Sequence, residues 1–364
     1  MSALRFAVVG CGAIAPTHVR ALQQLAGRVE LVACSDILPE RAEALAADFG
    51  LTAMSYDDIL QNPTIDAVSV CVPSGRHAEV GVPALLAGKH VIIEKPMEVT
   101  LEACDRLLEA QRTSGRTLAV VSQHRFDTAA QRVHESVTDG RLGRLVLAEC
   151  RVPWFRTQEY YDSGEWRGTW ALDGGGALIN QGVHTVDLLR WMCGPVESVY
   201  AQARTATHER IEVEDVVCAT VTFTDGAIAT VMASTSAFPG FPASLSLHGT
   251  AGGAVIHGDR LATLVLTDGT ALGGETTTAH AQQVASGGTR AATRAVDEAS
   301  DLPVDPADVW GEAHRLQLLD FADAVVEGRA PLVDGVSGRQ SLELVLAIYA
   351  SARTGDVVRL PLTS

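Results

Sequence analysis

Two short stretches hold the side chains whose types and spacing suit chemistry. The first is Val91-Ile92-Ile93-Glu94-Lys95-Pro96. Its three apolar residues read as a buried strand. The proline ends that strand, because its nitrogen has no hydrogen to give a sheet ladder. A carboxylate and an ammonium thus arrive together at a strand's carboxyl end, where open parallel sheets bind ligands. Lys95 is the residue the rest of the chain is expected to serve. The plain alternative is a pair of surface charges at a strand end. The second stretch runs from Asp173-Gly174-Gly175-Gly176 through Asn180 and His184 to Asp187. Three glycines permit a close backbone turn, and a helix then continues to Met192. Asn180 and His184 are four apart, so they share a face if the helix has already begun. The alternative for His184 is a satisfied structural histidine.

The elements that would position Lys95 alternate regularly. Residues 4–9 read as a buried strand, followed by Gly10-Cys11-Gly12-Ala13-Ile14-Ala15 and a helical pattern through Val19, Leu22 and Leu25. This is G-x-G-x-x-G/A with a strand before it and a helix after it, the context that dinucleotide binding requires. Gly10 makes the tight turn, Gly12 admits a pyrophosphate, and the helix start offers amides to phosphates. A second strand, Glu30 to Ser35, ends at Asp36, 24 residues after Gly12. An acid near that spacing binds the adenosine ribose hydroxyls. Asp36 would repel a 2′-phosphate and favours NAD(H), while Arg41 nearby keeps NADP(H) as the lesser alternative. A third strand, Ile65 to Val72, leads to Ser74 and His77, both candidates for contacts on the nicotinamide side. Ser74 serves equally as a helix cap. With helices at 39–49, 78–87 and 101–111 and a last strand at 117–122, the first part reads as a doubly wound parallel sheet.

Beyond Ser122 the pattern changes. Gln123-His124-Arg125-Phe126 leaves the sheet, a helix runs to about Val137, and strand-like runs dominate (145–152, 196–207, 215–223, 228–234 and 243–248). They predict an α+β domain with a large open, mainly antiparallel sheet. The expected division is 1–122 for dinucleotide binding and 123–364 for substrate binding and oligomerisation. Residues 270–305, rich in small and polar types, read as a long insertion. Helices return at 310–327 and 339–353, with a closing strand at 357–360, and the C-terminal helix is free to pack back on the first domain.

Composition narrows the class. The 364 residues are 47% hydrophobic and carry a net charge of −16, which disfavours nucleic acid and anionic membranes as partners. Seven scattered cysteines without a C-x-x-C pair read as reduced thiols of a cytoplasmic protein. The first strand starts almost at once, without a signal peptide, and no apolar run is long enough to span a membrane. No tight His/Asp/Glu spacing predicts a metal.

The sum of these motifs resembles the Gfo/Idh/MocA family of NAD(P)-dependent sugar, inositol and related oxidoreductases. Carrying the likeness are Gly10-x-Gly12-x-x-Ala15, Val72-Pro73-Ser74 with His77, Gly88-Lys89-His90-Val91 through Glu94-Lys95-Pro96, Gly174-Gly175-Gly176 through Gly182-x-His184 to Asp187, and Ser351-Ala352-Arg353-Thr354-Gly355. The resemblance implies a Rossmann domain with an α/β partner domain whose open sheet makes a homodimer or homotetramer. It implies a lysine (Lys95) near the reacting carbon, a general-base histidine (His184), and a cofactor site of Gly10, Gly12, Ala13, Ile14, Asp36, Ser74, His77, Glu94, Lys95 and Gln123. The residue four before the histidine is often aspartate in that family. Here it is Asn180, which can only hydrogen-bond, and this leans away from inositols toward hexosides, uronates or nucleotide sugars. Arg125, Tyr161, Trp166 and Arg167 would line or cover the carbohydrate site, or the arginines would only tie the domains together. The implied reaction is hydride transfer at a secondary alcohol or ketone of a sugar. Alternatives are a redox-neutral glycosidase or epimerase that oxidises a ring carbon transiently, and a non-catalytic NAD or sugar sensor.

Overall fold

The computed structural model describes residues 3–273 and 306–362. The first part is built from β1 (Leu4–Val9), α1 (Ala15–Gln23), β2 (Val29–Ser35), α2 (Pro39–Phe49), β3 (Thr52–Ala53), α3 (Tyr56–Gln61), β4 (Ala67–Val70), α4 (His77–Leu86), β5 (His90–Ile93), α5 (Leu101–Ser114) and β6 (Leu118–Val120). The strands form one parallel sheet in the order β3-β2-β1-β4-β5-β6. Burial on both faces explains their unbroken apolar runs: Phe6 to Val8 and Val91 to Ile93 are fully enclosed. Helix ends follow local chemistry. Thr100 accepts from the Ala103 amide at the start of α5, and Gly115 ends it in the left-handed region at φ 66. The order reverses beside β1, so the crevice between the carboxyl ends of β1 and β4 is the topological switch point.

The second sheet has nine strands: β7 (Leu145–Pro153), β8 (Val196–Arg204), β9 (Val216–Phe223), β10 (Ile228–Ser234), β11 (Ser244–Gly249), β12 (Gly252–His257), β13 (Arg260–Leu266), β14 (Ala271–Gly273) and β15 (Val358–Arg359). Their order is β14-β13-β12-β11-β7-β10-β9-β8-β15. Only β7 and β10 pair in parallel; the other pairs are antiparallel. Alternation sets its faces. Val217, Ala219 and Val221 are buried, while Cys218 and Thr220 between them are exposed. After α6 (Thr128–Thr138) come the short α7 (Gln158–Asp162), α8 (Val183–Cys193), α9 (Pro306–Glu327) and α10 (Gly335–Thr354); α6, α8 and α10 pack on the buried face.

Three expectations change here. Strands β12 and β13 were not anticipated, because Gly252-Gly253 and Gly258 interrupt the apolar pattern that Ala254, Ile256, Leu264 and Leu266 complete in the core. The start of the expected insertion, 271–273, is a strand paired with β13, and 274–305 lie outside the described residues. The helix expected from residue 310 begins earlier, as α9 (Pro306–Glu327). It packs against α1, with the Phe321 ring edge-on to Phe6 at 5.9 Å. Gln317 of α9 also donates to the Val120 carbonyl and accepts from the Ser122 amide. No helix among the described residues is long and apolar enough to cross a membrane.

Candidate active site

Lys95 leaves the end of β5 and reaches across to the second domain, where its Nζ donates to the Asn180 carbonyl at 2.9 Å. Asn180 lies in a π-helical turn, Ala177–Gly182, that precedes α8. Such widened turns recur at functional sites. The glycine run makes this turn possible, since a side chain at Gly176 would collide with the Glu214 carbonyl. Glu214 holds the turn by accepting from the Gly176 and Leu178 amides at 2.9 and 2.8 Å and from the Tyr349 hydroxyl at 3.0 Å. Asn180 therefore does not meet His184 as a simple helical pair. Its side chain turns to Asp173, donating to Oδ1 at 2.6 Å, and only its carbonyl meets the lysine.

His184 stands one step into α8. It lines a small void of about 20 Å³ together with Lys95 and Asp187. On the other side it lines an open cavity of about 270 Å³ with Gln123, His124, Trp154, Gln181 and Thr185. Its Nδ1 is buried without a hydrogen-bond partner among the described residues, and the His124 ring stands edge-on 5.1 Å away. Burial first, then the charge of Lys95 and the neighbouring His124, hold its pKa well below that of an ordinary histidine. The imidazole is thus neutral near pH 7 and able to take a proton. Burial likewise lowers the Lys95 pKa, against the opposing pull of Glu94 and Asp173. Asp173 has its pKa pushed up to about 6 by burial, although Gly168 and Asn180 donate to it. The sequence reading passed over Asp173. A carboxylate directly before three glycines was the available signal.

At the dinucleotide end, Gly10 sits at φ +94, and a Cβ there would stand 2.7 Å from the Cys71 carbonyl group. A Cβ at Gly12 would meet nothing within 4 Å, so backbone and open space adjoin there as a pyrophosphate requires. Ala13 is exposed and Ile14 half-buried where α1 begins. Asp36 accepts from the Cys11 amide at 2.7 Å and the Leu38 amide at 2.9 Å. It thereby ties the glycine turn to the end of β2 and keeps lone pairs for ribose hydroxyls. Ile37 beside it is 95% exposed, an apolar side chain placed where an adenine ring could rest. The donor set therefore fits a dinucleotide.

Other predicted residues have different occupations. Glu94 is buried: its Oε1 lies 2.7 Å from His18 Nε2 and 3.8 Å from His314 Nε2, and its Oε2 accepts from the Lys95 amide. Burial works to raise its pKa, but hydrogen bonds from the two imidazoles win and hold it well below the usual range. These three ligand-type groups lie within 4.8 Å of one another. They come from positions 18, 94 and 314, a cluster that spacing along the chain does not reveal. His77 has one ring nitrogen 2.8 Å from the Pro96 carbonyl and the other 3.0 Å from the Val72 carbonyl. It clamps these two loops together. Ser74 is buried at the start of a short 3₁₀ turn. Gln123 is buried on the cavity wall, and its Oε1 has no partner among the described residues.

The proposed carbohydrate residues separate. Arg125 is buried and paired with a carboxylate: Nε and Nη2 donate to Asp187 at 2.7 and 2.6 Å. Asp187 also accepts from Ser122 and Ser341, so Arg125 ties the turn that follows β6 to α8, and it is not among the residues lining the cavity. Tyr161 is buried with its hydroxyl on Thr235 at 2.8 Å. Its neighbour Tyr160, part of the same expected cluster, accepts from Arg167 at 2.7 Å and from Gln181 at 2.8 Å. Arg167 lies between the rings of Tyr160 and Trp166, 4.3 and 4.4 Å from their centroids.

Comparison with known proteins fits this geometry. The family model described as oxidoreductase family, NAD-binding Rossmann fold, matches residues 4–122, and that of the GFO/IDH/MocA C-terminal domain matches 130–255. The chain belongs to the Gfo/Idh/MocA family. Among solved members, the WlbA dehydrogenase of Bordetella pertussis, in complex with NADH and UDP-GlcNAcA, is 33% identical, with a TM-score of 0.84 over 100% of this chain and 99% of that one. The D-glucoside 3-dehydrogenase of Escherichia coli is 35% identical over 56% of this chain and 58% of its own length. The 1,5-anhydro-D-fructose reductase of Ensifer adhaerens is 28% identical over 98% of both. As in the rest of the Gfo/Idh/MocA family, the chain joins an NAD(P)-binding Rossmann domain to a mixed, mainly antiparallel sheet, and it is an NAD(P)-dependent oxidoreductase by membership.

Proposed function

We propose that the protein is an NAD-dependent dehydrogenase acting on a ring secondary alcohol, or the matching ketone, of a sugar, sugar derivative or nucleotide sugar. The observation that carries this reading is the meeting of Lys95 from β5 and His184 from α8 around one void, with His184 also opening on the main cavity. Asp36 at the end of β2, which would repel a 2′-phosphate, favours NAD over NADP. When bound along Gly10–Ala15, the nicotinamide dinucleotide supplies the hydride acceptor or donor. Lys95 orients the substrate oxygen and stabilises negative charge developing on it. His184, neutral because it is buried beside a cation, takes the hydroxyl proton. Asn180 and Asp173 hold Lys95 and the π-turn in place through the carbonyl and side-chain contacts described above. The protein is taken as a homodimer or homotetramer through the outer face of the nine-stranded sheet, where paired Leu147 and Ile228 and nearby Tyr200 are exposed.

Positioned proton transfer is worth roughly 10²–10⁴-fold. Lys95→Ala and His184→Ala should each lower turnover by that order while leaving dinucleotide binding, read by fluorescence titration, unchanged. Purified protein is screened with NAD⁺ and NADP⁺ against polyols, hexoses, uronates and nucleotide sugars by absorbance of the reduced cofactor. Full activity in either variant sinks the assignment.

A further inference from the structure

We propose that Arg156 and Arg167 form a seat for an anionic substituent, a carboxylate or phosphoryl group, carried by the sugar substrate. The word substrate rests on the dehydrogenase reading above; the anion seat itself rests on geometry. Arg156 lies between Trp154 and Tyr160, 5.1 and 5.3 Å from their ring centroids. Arg167 continues the stack between Tyr160 and Trp166. Aromatic faces thus hold both guanidinium planes and leave their N–H edges for a planar acceptor.

Those edges are incompletely used. Arg156 donates from Nη2 to Gln181 Oε1 at 2.9 Å and weakly from Nη1 to the Phe155 carbonyl at 3.4 Å, while its Nε is buried with no partner. Arg167 donates to the Tyr160 hydroxyl. Neither makes an ion pair with a carboxylate among the described residues, although the chain holds 44 acidic side chains against 28 basic ones. Asp173, which feels the charge of Arg167 and Lys95, is already taken by Asn180 and Gly168. The stack also reaches the site, since Trp154 and Gln181 line the same cavity as His184. A neutral sugar would leave these half-buried guanidinium edges without a bonded anion. A carboxylate or phosphate would accept charge-assisted hydrogen bonds from them.

The test uses the full chain loaded with NADH and four probes in calorimetric titration: free glucuronate, UDP-glucuronate, UDP-glucose and methyl glucoside. Hydrogen bonds to charged groups are worth about 1.5–3 kcal/mol, so Arg156→Met and Arg167→Met should weaken anionic probes roughly 10–100-fold and leave methyl glucoside unaffected. Arg156→Lys should recover part of the loss. Sensitivity with free glucuronate assigns the seat to a carboxylate; sensitivity with UDP-glucose alone assigns it to the diphosphate. In turnover, KM should rise while kcat holds. Equal affinity of wild type and both variants for every anionic probe, or no anionic probe binding at all, overturns the proposal. Preserved anion selectivity without hydride transfer between the cofactor and any sugar, in either direction, would sink the dehydrogenase reading alone. Urea melts of the variants check that the fold is intact.

Discussion

The guanidinium of Arg125 lies in a buried seam between the turn at Gln123–Phe126 and α8, whereas those of Arg156 and Arg167 lie in a half-exposed stack of aromatic rings. The first has a carboxylate on two of its nitrogens and two serines supporting that carboxylate. The others have rings on their faces and amide, hydroxyl or carbonyl oxygens on their edges. Deep burial of a cation is tolerated only beside a matching anion. Partial burial against aromatic rings keeps the charge available for a ligand. A similar contrast separates two carboxylates. Burial would raise the pKa of Asp187, but Arg125 holds it below the usual range. Asp173, without a bonded cation, is pushed up to about 6.

Breaking the seam should have the largest effect. Asp187→Ala strands Arg125 in the interior, and removing one partner of a buried pair costs about 3–5 kcal/mol, read as a lower urea midpoint. Replacing both, Arg125→Met with Asp187→Leu, should recover much of that loss, because no uncompensated charge remains. A double variant as unstable as Asp187→Ala would show that shape, not charge, holds the seam.

The contrast between carboxylates predicts a pH dependence of intermediate size. Asp173 moves from 3.8 to about 6 and Glu214 from 4.5 to about 7, both chiefly through burial. Between those values the folded state keeps protons that the unfolded chain has lost, so these two groups contribute a stability that falls as pH rises from about 4.5 to 7. His184 and His90, held neutral chiefly by burial, contribute one that rises as pH passes through the histidine range. The carboxylate contribution is on the order of a few kcal/mol, and the part from Glu214 is read as the difference between melts of wild type and Glu214→Gln across that range. Asp187 acts in the opposite sense: its contribution is present above 3.8 and is lost as pH falls below it. A difference between wild type and Glu214→Gln that does not fall from about pH 4.5 to 7 would contradict the environment described for Glu214.

The aromatic stack should matter least to folding. Tyr160→Ala removes two cation–π contacts, each worth about 0.5–1 kcal/mol at exposed sites, and should cost about 1–2 kcal/mol of stability in urea melts. Its larger signature is looser arginine planes and weaker binding of anionic sugars. A loss of stability matching that of Asp187→Ala would make the stack a structural element and erase the contrast.

Much of this was legible along the chain. The strand–glycine–helix unit at 4–23, the acid Asp36 and the Glu94-Lys95-Pro96 strand end are local patterns, and local patterns carry the Rossmann half. The alternating runs at 145–152 and 215–234 likewise announced an open sheet. What failed was also systematic. Glycines hid β12 and β13, and the stretch after the glycine turn, where the helix was expected to begin, is a π-turn because Glu214 and Tyr349 grip amides of Gly176, Leu178 and Ile179.

The sequence by itself determined which backbone turns could approach a pyrophosphate and which strand would deliver Lys95, since both depend on residues within a few positions of one another. Only the tertiary structure decided how each charge is used. Glu94 is claimed by His18 and His314, Arg125 by Asp187, and Asn180 by Asp173 and Lys95. Arg156 and Arg167 are left to aromatic rings. Apart from the nearby Asn180–Asp173 contact, the carboxylate and lysine partners lie tens to hundreds of residues apart. Electrostatic pairing acts over ångströms of space and leaves no spacing in the chain from which to read it.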